Sequence, residues 1–414
     1  MNQKRSTNKV LSNYIFLVLM LVALWMPNSY SYILSNLIYS LLRYTQYFAG
    51  LIATVMVFIT HRQNKIFILN IILSLILIFS TIVNNGNVNK CLNYVAPMLG
   101  TVALITYYIG GGREKELLRA MRHVLLIYIL INIATYFLFP RGLYITELVT
   151  RYDDKQNTFL GNRNTYKYYG LFIILVSYLE SRLTDKKTWL SDRNSGIAIA
   201  LALIMELLGE SLTGTVIILF IAIYYIFGDK MLRIRSLNPK VFFYISVGLF
   251  VFATVFIAAG RYTAIISYFF SGNITFSHRT AIWLRAETII LQNPIIGIGT
   301  QTNKVMFTYL RNIHAHNQFL EIAIRGGLVG TAIYLLIVWT SLKRLSEYRK
   351  YEIVSFVTIC IFAVMIIDMV ECETYSYAIL SYFTAIAYCW RYPKEYLESK
   401  AQKKIKIVWR KRRG

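Results

Sequence analysis

Twelve apolar blocks divide this chain, and they constrain its fold more than any other feature. They are roughly Tyr14–Met26, Tyr44–Thr60, Ile66–Val83, Leu92–Gly110, Val124–Phe139, Tyr166–Glu180, Ser195–Leu208, Leu212–Gly228, Val241–Gly260, Asn317–Thr340, Ile353–Val370 and Tyr375–Trp390. A bilayer crossing takes about 20 apolar residues as a helix. Several blocks are shorter than that, which leaves their ends loosely defined. Only 15% of residues are charged, where a soluble domain carries about 25%. The expected fold class is all-α: a polytopic membrane protein of about twelve transmembrane helices, one integral membrane domain over residues 1–414.

The loops test this division. With the N-terminus inside, the inner segments hold 31 Lys and Arg, the outer segments 11, and Lys167 and Arg325 fall within blocks. That asymmetry follows the positive-inside rule and puts both termini in the cytoplasm. Lys4, Arg5 and Lys9 precede the first block and no small-residue cleavage site follows it, so the first span is expected to be retained. The basic tail 391–414 reads as a topology anchor against anionic membrane lipids. The net charge of +24 is therefore loop charge, and no soluble basic domain points to nucleic acid. The four cysteines, Cys91, Cys360, Cys372 and Cys389, match no metal site and no disulfide framework.

Two outer loops are long, 140–165 and 261–316. Inside the second, Ser277–Gln292 places Ala281, Leu284, Ile289 and Leu291 among polar residues, as in a short amphipathic helix at the membrane face. Asn293-Pro294 ends it, and Gly297-Ile298-Gly299 gives a flexible backbone afterwards.

These loops concentrate the outer cations: Arg141, Arg151, Lys155 and Arg163 in the first, and Arg261, Arg279, Arg285, Lys304 and Arg311 in the second. Arg325 sits about two turns into the tenth block. Singly, each reads as solvated charge. Together, on the side the positive-inside rule disfavours, they suggest an anion site, since a guanidinium fork suits phosphate. His314 and His316 bracket Ala315 where the second loop enters the tenth block, next to Asn317 and one turn before Glu321. An imidazole with its ordinary pKa of about 6.5 can take a proton at neutral pH. Glu321 is spaced to orient His316 or Asn317. Gly326-Gly327 and Gly330 would let another helix or a lipid chain approach. Zinc on the histidines and Glu321 is the rival reading, but their spacing is not the i, i+4 pair of a helical site. Asp368, Glu371 and Glu373 gather at the outer end of the eleventh block as partners for outer arginines.

Residues His314–Gly330 resemble the signature of the O-antigen ligase and polysaccharide polymerase family, whose histidine falls on His316 and whose later glycines fall on Gly326-Gly327. Arg279, Trp283, Pro294, Gly297 and Gly299 resemble its arginine, tryptophan and Pro-x-x-Gly-x-Gly segment. Asn162 and Asn164 resemble its Asn-rich entry to a middle span. Gly209–Thr215 resembles its Ser-Arg segment but lacks the arginine. The likeness covers roughly residues 155–345. It implies a bacterial plasma-membrane glycosyltransferase that needs no metal or other cofactor. Such an enzyme moves a glycan from undecaprenyl diphosphate, with inversion, to a glycan or lipid acceptor outside the membrane, alongside other polysaccharide-assembly membrane proteins.

The resemblance places the family's histidine on His316, which is the expected base with His314 its neighbour or substitute; Arg279 is expected to recognise the diphosphate, and Glu321 supports the histidines. Substrate binding falls to Arg151, Arg163, Asn164, Arg261, Arg311, Asn317, Arg325 and Trp283. A polymerase extending capsule, exopolysaccharide or O-antigen is the first expectation. A ligase that moves finished glycan to a surface acceptor is the second. A lipid-linked oligosaccharide flippase also suits twelve spans, but the halves show no repeat.

Overall fold

The computed structural model describes residues 2–144, 157–183, 189–227, 238–254, 279–372 and 376–391. Arg151, Arg261, Glu373 and the tail from 392 onward lie outside them. Among the described residues there are fifteen α-helices and no strand. They are α1 Asn2–Leu24, α2 Tyr30–Ile33, α3 Asn36–Ile59, α4 Lys65–Val83, α5 Val88–Gly110, α6 Glu114–Leu138, α7 Arg163–Arg182, α8 Trp189–Leu208, α9 Leu212–Phe227, α10 Pro239–Val251, α11 Arg279–Gln292, α12 Asn303–Leu310, α13 Gln318–Glu347, α14 Glu352–Val370 and α15 Ser376–Cys389.

Each of the twelve apolar blocks overlaps one of these helices, with residues 255–260 of the ninth block and Tyr375 of the twelfth outside the described residues. Among the described residues, six helices are long and apolar enough to cross a bilayer: α3, α4, α5, α6, α13 and α14. Length and hydropathy thus support six of the twelve expected crossings among the described residues. Some of the remaining apolar stretches are short, within α1, α9, α10 and α15. Helix α7 falls short for another reason. It is enclosed by α6, α8, α9 and α14, and every residue from Thr165 to Glu180 is buried. A helix screened from lipid can carry tyrosines and a lysine at little cost.

Position in the bundle follows composition. Helix α14 is central, with 78% of its apolar window buried, whereas α3 buries 28% and turns Leu37, Leu41, Phe48 and Leu51 outward. Outward leucines on a membrane helix face lipid and need no partner. Helices α3 and α5 cross through small residues. A β-carbon on Gly100 would lie 2.8 Å from the Gly50 α-carbon, so the backbones touch.

The two ends of the bundle differ. At one end Arg122 and Arg119 share Glu180, Arg182 pairs with Glu352, and Arg391 reaches the Gly110 carbonyl. At the other end lie the tip of the α4–α5 hairpin, the helices α11 and α12, the start of α13 and the end of α14. Helices α11 and α12 are not loose loop. Ile282, Trp283, Ala286, Ile289, Ile298, Met306 and Leu310 form a second core with Ala315 of the histidine loop and Leu320 and Ile324 of α13. This packing holds α11 and α12 down on the histidine loop.

Candidate active site

The site begins with how α13 starts. Asn317 is its N-cap, in extended conformation, and its Oδ1 accepts from the amides of Phe319 at 3.0 Å and Leu320 at 3.1 Å. An asparagine here satisfies two amides that no helical carbonyl reaches. Its Nδ2 donates to the Met369 carbonyl at 3.0 Å, tying the start of α13 to the end of α14.

Just before the cap, His316 adopts φ +49°, a left-handed backbone that side chains with a β-carbon seldom take. Its amide donates to Nδ1 of His314 at 3.3 Å, and the two rings lie 4.1 Å apart. Nδ1 of His314 is therefore an acceptor, and the neutral ring carries its proton on Nε2. Burial, reinforced by His316 alongside, pushes the His314 pKa well below the ordinary imidazole value.

Glu321 does not orient His316 or Asn317 as its spacing suggested. Its Oε2 accepts the Ala315 amide at 2.9 Å, and its Oε1 binds Arg325 through Nε at 2.8 Å and through a terminal nitrogen. Position i+4 on the same helix wins because the two side chains share one face. The carboxylate thus fixes the His-Ala-His loop through its backbone. Arg325 is already ion-paired and lies over the Tyr94 ring at 4.6 Å.

The centre of the cluster is Glu371, the residue after α14, 3% exposed. Its Oε1 pairs with Arg279 at 2.7 Å and Lys167 at 3.5 Å, and its Oε2 faces Nδ1 of His316 at 3.7 Å. Burial alone would raise its pKa. Lys167, His316 and Arg279 together outweigh that and hold the carboxyl well below the usual range. Arg279 pairs here with one of the carboxylates expected as arginine partners at the end of α14. Neighbouring Asp368 does not pair with an arginine. It is fully buried between the hydroxyls of Tyr168 at 3.2 Å and Tyr334 at 3.1 Å.

The structure thus brings together His314, His316, Asn317, Glu321, Arg325 and Arg279. Other candidates stand apart. Trp283 is 1% exposed in the second core, so it packs α11 onto α13 and offers no sugar a face. Arg163 lies against Gly209, and Asn164 is half-buried in the first turn of α7. Arg311 caps α12 in left-handed conformation, exposed. Sequence reasoning passed over Lys167, whose signal was plain in hindsight: a lysine inside an apolar block, 1% exposed. Among the described residues no three His, Cys, Asp or Glu side chains converge as metal ligands.

The glycines have a sharper role than letting a neighbour approach. Helix α13 breaks at Gly327, φ +63° and ψ −166°. Segment 294–299 fills the break. Ile298 and Gly299 donate to the carbonyls of Ile324 and Arg325, and Leu328 and Val329 donate to those of Pro294 and Ile295. Non-helical backbone within a membrane protein survives where such partners satisfy it. The same segment is tied to α4 through Ser80, Thr81 and Asn84. Gly326 keeps the expected part, placing its α-carbon beside Leu77 of α4.

Fold and site define an all-helical, multi-pass membrane protein that collects guanidinium, ammonium and imidazole groups around one buried carboxylate at one end. Residues 197–335 match the sequence profile of the family described as O-Antigen ligase. The chain is also similar to a Rickettsia conorii protein provisionally named polysaccharide ligase, 27% identical over 110 residues. That stretch is 23% of this chain and 26% of the relative, so the chain spans about a quarter of the curated protein it matches. The two comparisons support the O-antigen ligase family. No solved structure matches the chain.

Proposed function

We propose that this protein is a membrane glycosyltransferase that moves a glycan from a polyprenyl diphosphate carrier to an acceptor hydroxyl at the outer face of the bacterial plasma membrane, without a metal ion. The observation that carries the reading is the Glu371 cluster, which puts Arg279 and His316 on the same carboxylate. Arg279 engages Glu371 through a terminal nitrogen, and its other N–H groups are available to a diphosphate oxygen. His316 accepts the proton of the acceptor hydroxyl. The freed oxygen bonds to the anomeric carbon from the face opposite the leaving group, and configuration inverts. The anomeric C–O bond breaks, and its electron pair leaves with the diphosphate, stabilised by Arg279. Glu321 and Asn317 act through the backbone, holding the loop that carries His316.

Of the two acceptor classes, the family description and the relative's name both favour ligase-type transfer. Chain extension by polymerisation, the first expectation from sequence, has no such support. A flippase would move the lipid-linked glycan intact.

The test is purified protein in lipid nanodiscs with a lipid-diphosphate-linked glycan and a lipid-core acceptor, without gradient or nucleotide. Expected are glycosylated acceptor, free lipid diphosphate, full activity in chelator, and loss of at least about 10²-fold in His316→Ala. Product from repeat units alone would favour polymerase. Retained activity in His316→Ala would remove the base, and chelator inhibition reversed by added metal would remove the metal-free mechanism.

A further inference from the structure

Two imidazoles stand at the site, and the geometry distinguishes them. His314 spends Nδ1 on the backbone amide of His316, so its ring serves the loop. His316 alone faces a carboxylate: Oε2 of Glu371 has no hydrogen bond among the described residues and points at Nδ1 from 3.7 Å. The other oxygen, Oε1, is taken by Arg279 and Lys167. The carboxylate cannot turn its free oxygen elsewhere without leaving two cations. The histidine is also held against its own preference. Its left-handed backbone, φ +49°, is kept by the Asn317 cap on one side and the Glu321–Ala315 bond on the other. Strain over-determined in this way at a polar cluster marks a position where side-chain aim matters.

We propose that Glu371 is the positioning residue of the base: it holds the proton of His316 on Nδ1, so that Nε2 presents its lone pair to the acceptor hydroxyl. The inference rests on the transfer reading above and deepens it by assigning the tautomer and the partner that sets it. At rest, Nδ1–H points to Glu371. During transfer the acceptor hydroxyl gives its proton to Nε2, and the resulting imidazolium sits against the Glu371 carboxylate. An approach of 3.7 Å is within the range that catalytic hydrogen bonds show before they tighten in the reacting complex. Lys167 and Arg279 hold Oε1 from α7 and α11, which keeps Oε2 aimed at Nδ1 of His316. Besides these, the charged and titratable groups around His316 are His314 in its own loop and Arg325 on α13, the latter already neutralised by Glu321. Beyond Lys167 lies the buried Glu206 at the end of α8.

The experiment is steady-state transfer across pH about 5.5 to 8.5 for wild type, Glu371→Gln, Glu371→Asp and His316→Ala. Glu371→Gln is expected to lower kcat by about 10²-fold with little change in KM for the acceptor. The acidic limb of its kcat profile should move to lower pH, because the imidazolium loses its counter-charge. Glu371→Asp should restore the wild-type position of that limb at reduced kcat. Because Glu371→Gln leaves Lys167 without its partner, the double variant Glu371→Gln/Lys167→Met is included to keep the fold. It should show the same low kcat and the same displaced limb. An unchanged pH profile in the Gln and double variants, with His316→Ala inactive, overturns the positioning role and leaves the transfer reading standing. Full activity in His316→Ala overturns both.

Discussion

Replacing Gly327 by alanine tests whether segment 294–299 truly plugs the break in α13. At φ +63° and ψ −166° the backbone occupies a region essentially restricted to glycine, and a β-carbon there costs on the order of 1–3 kcal/mol. The β-carbon would also stand 2.2 Å from the Ile295 carbonyl oxygen and 2.5 Å from the Ile296 nitrogen, so backbone, not a pliable side chain, must retreat. Four hydrogen bonds join the two strands of chain across the break. Each contributes about 1 kcal/mol, and losing two of them adds roughly 2 kcal/mol. The expected destabilisation is therefore about 3–5 kcal/mol. Gly326→Ala is the internal control. Gly326 is not among the positive-φ residues, its β-carbon would meet side-chain methyls of Leu77 at 3.2 Å and Ile76 at 3.6 Å, and alanine's helix propensity returns about 1 kcal/mol. Thermal denaturation in nanodiscs, followed by tryptophan emission, reads both. Trp283 is packed in the cluster that rests on this segment and is expected to report its release. If the two variants melt together, the break is not held as described and the account of segment 294–299 fails.

Two further outcomes are expected. Asn317→Ala removes a cap worth about 1 kcal/mol as well as the tie to Met369, so both melting temperature and transfer rate fall. Asn317→Asp keeps the cap and should recover the melting temperature more than the rate. The second concerns pH. The folded protein keeps His314 neutral, whereas the unfolded chain protonates it near its ordinary value of about 6.5, so acidification through that value draws the equilibrium toward the unfolded state. Stability should decline from pH about 7.5 to 5.5, and His314→Asn should flatten that slope. Glu371 does not contribute in this window, because a depressed carboxylate loses stability only below its ordinary range of about 4.5.

The sequence disclosed helices where apolar residues run together, and it disclosed the His-Ala-His-Asn loop because its members are adjacent. Local signals of this kind need no partner from elsewhere. Glu371, Lys167 and Arg279 were harder to join because they come from α14, α7 and α11, and no spacing rule links residues so far apart in sequence. Glu321 was misread for a related reason. Its i+4 partner Arg325 was in view, yet the proximity of the histidines drew the argument. Trp283 shows the limit of side-chain type as evidence, since an indole suits a sugar face and a hydrophobic core equally well and only burial separates the two. Hydropathy says little about α7, because a helix enclosed by other helices need not be apolar all round.

The interruption at Gly327 splits α13 into two rods. The first rod bears Glu321 and Arg325 and begins at the Asn317 cap, while the second runs on to Glu347. What joins them laterally is a splice of backbone supplied by a distant part of the chain. A tilt of either rod about Gly327 would have to break the backbone hydrogen bonds of this splice, so the splice ties the direction of the Asn317 end to the rest of α13.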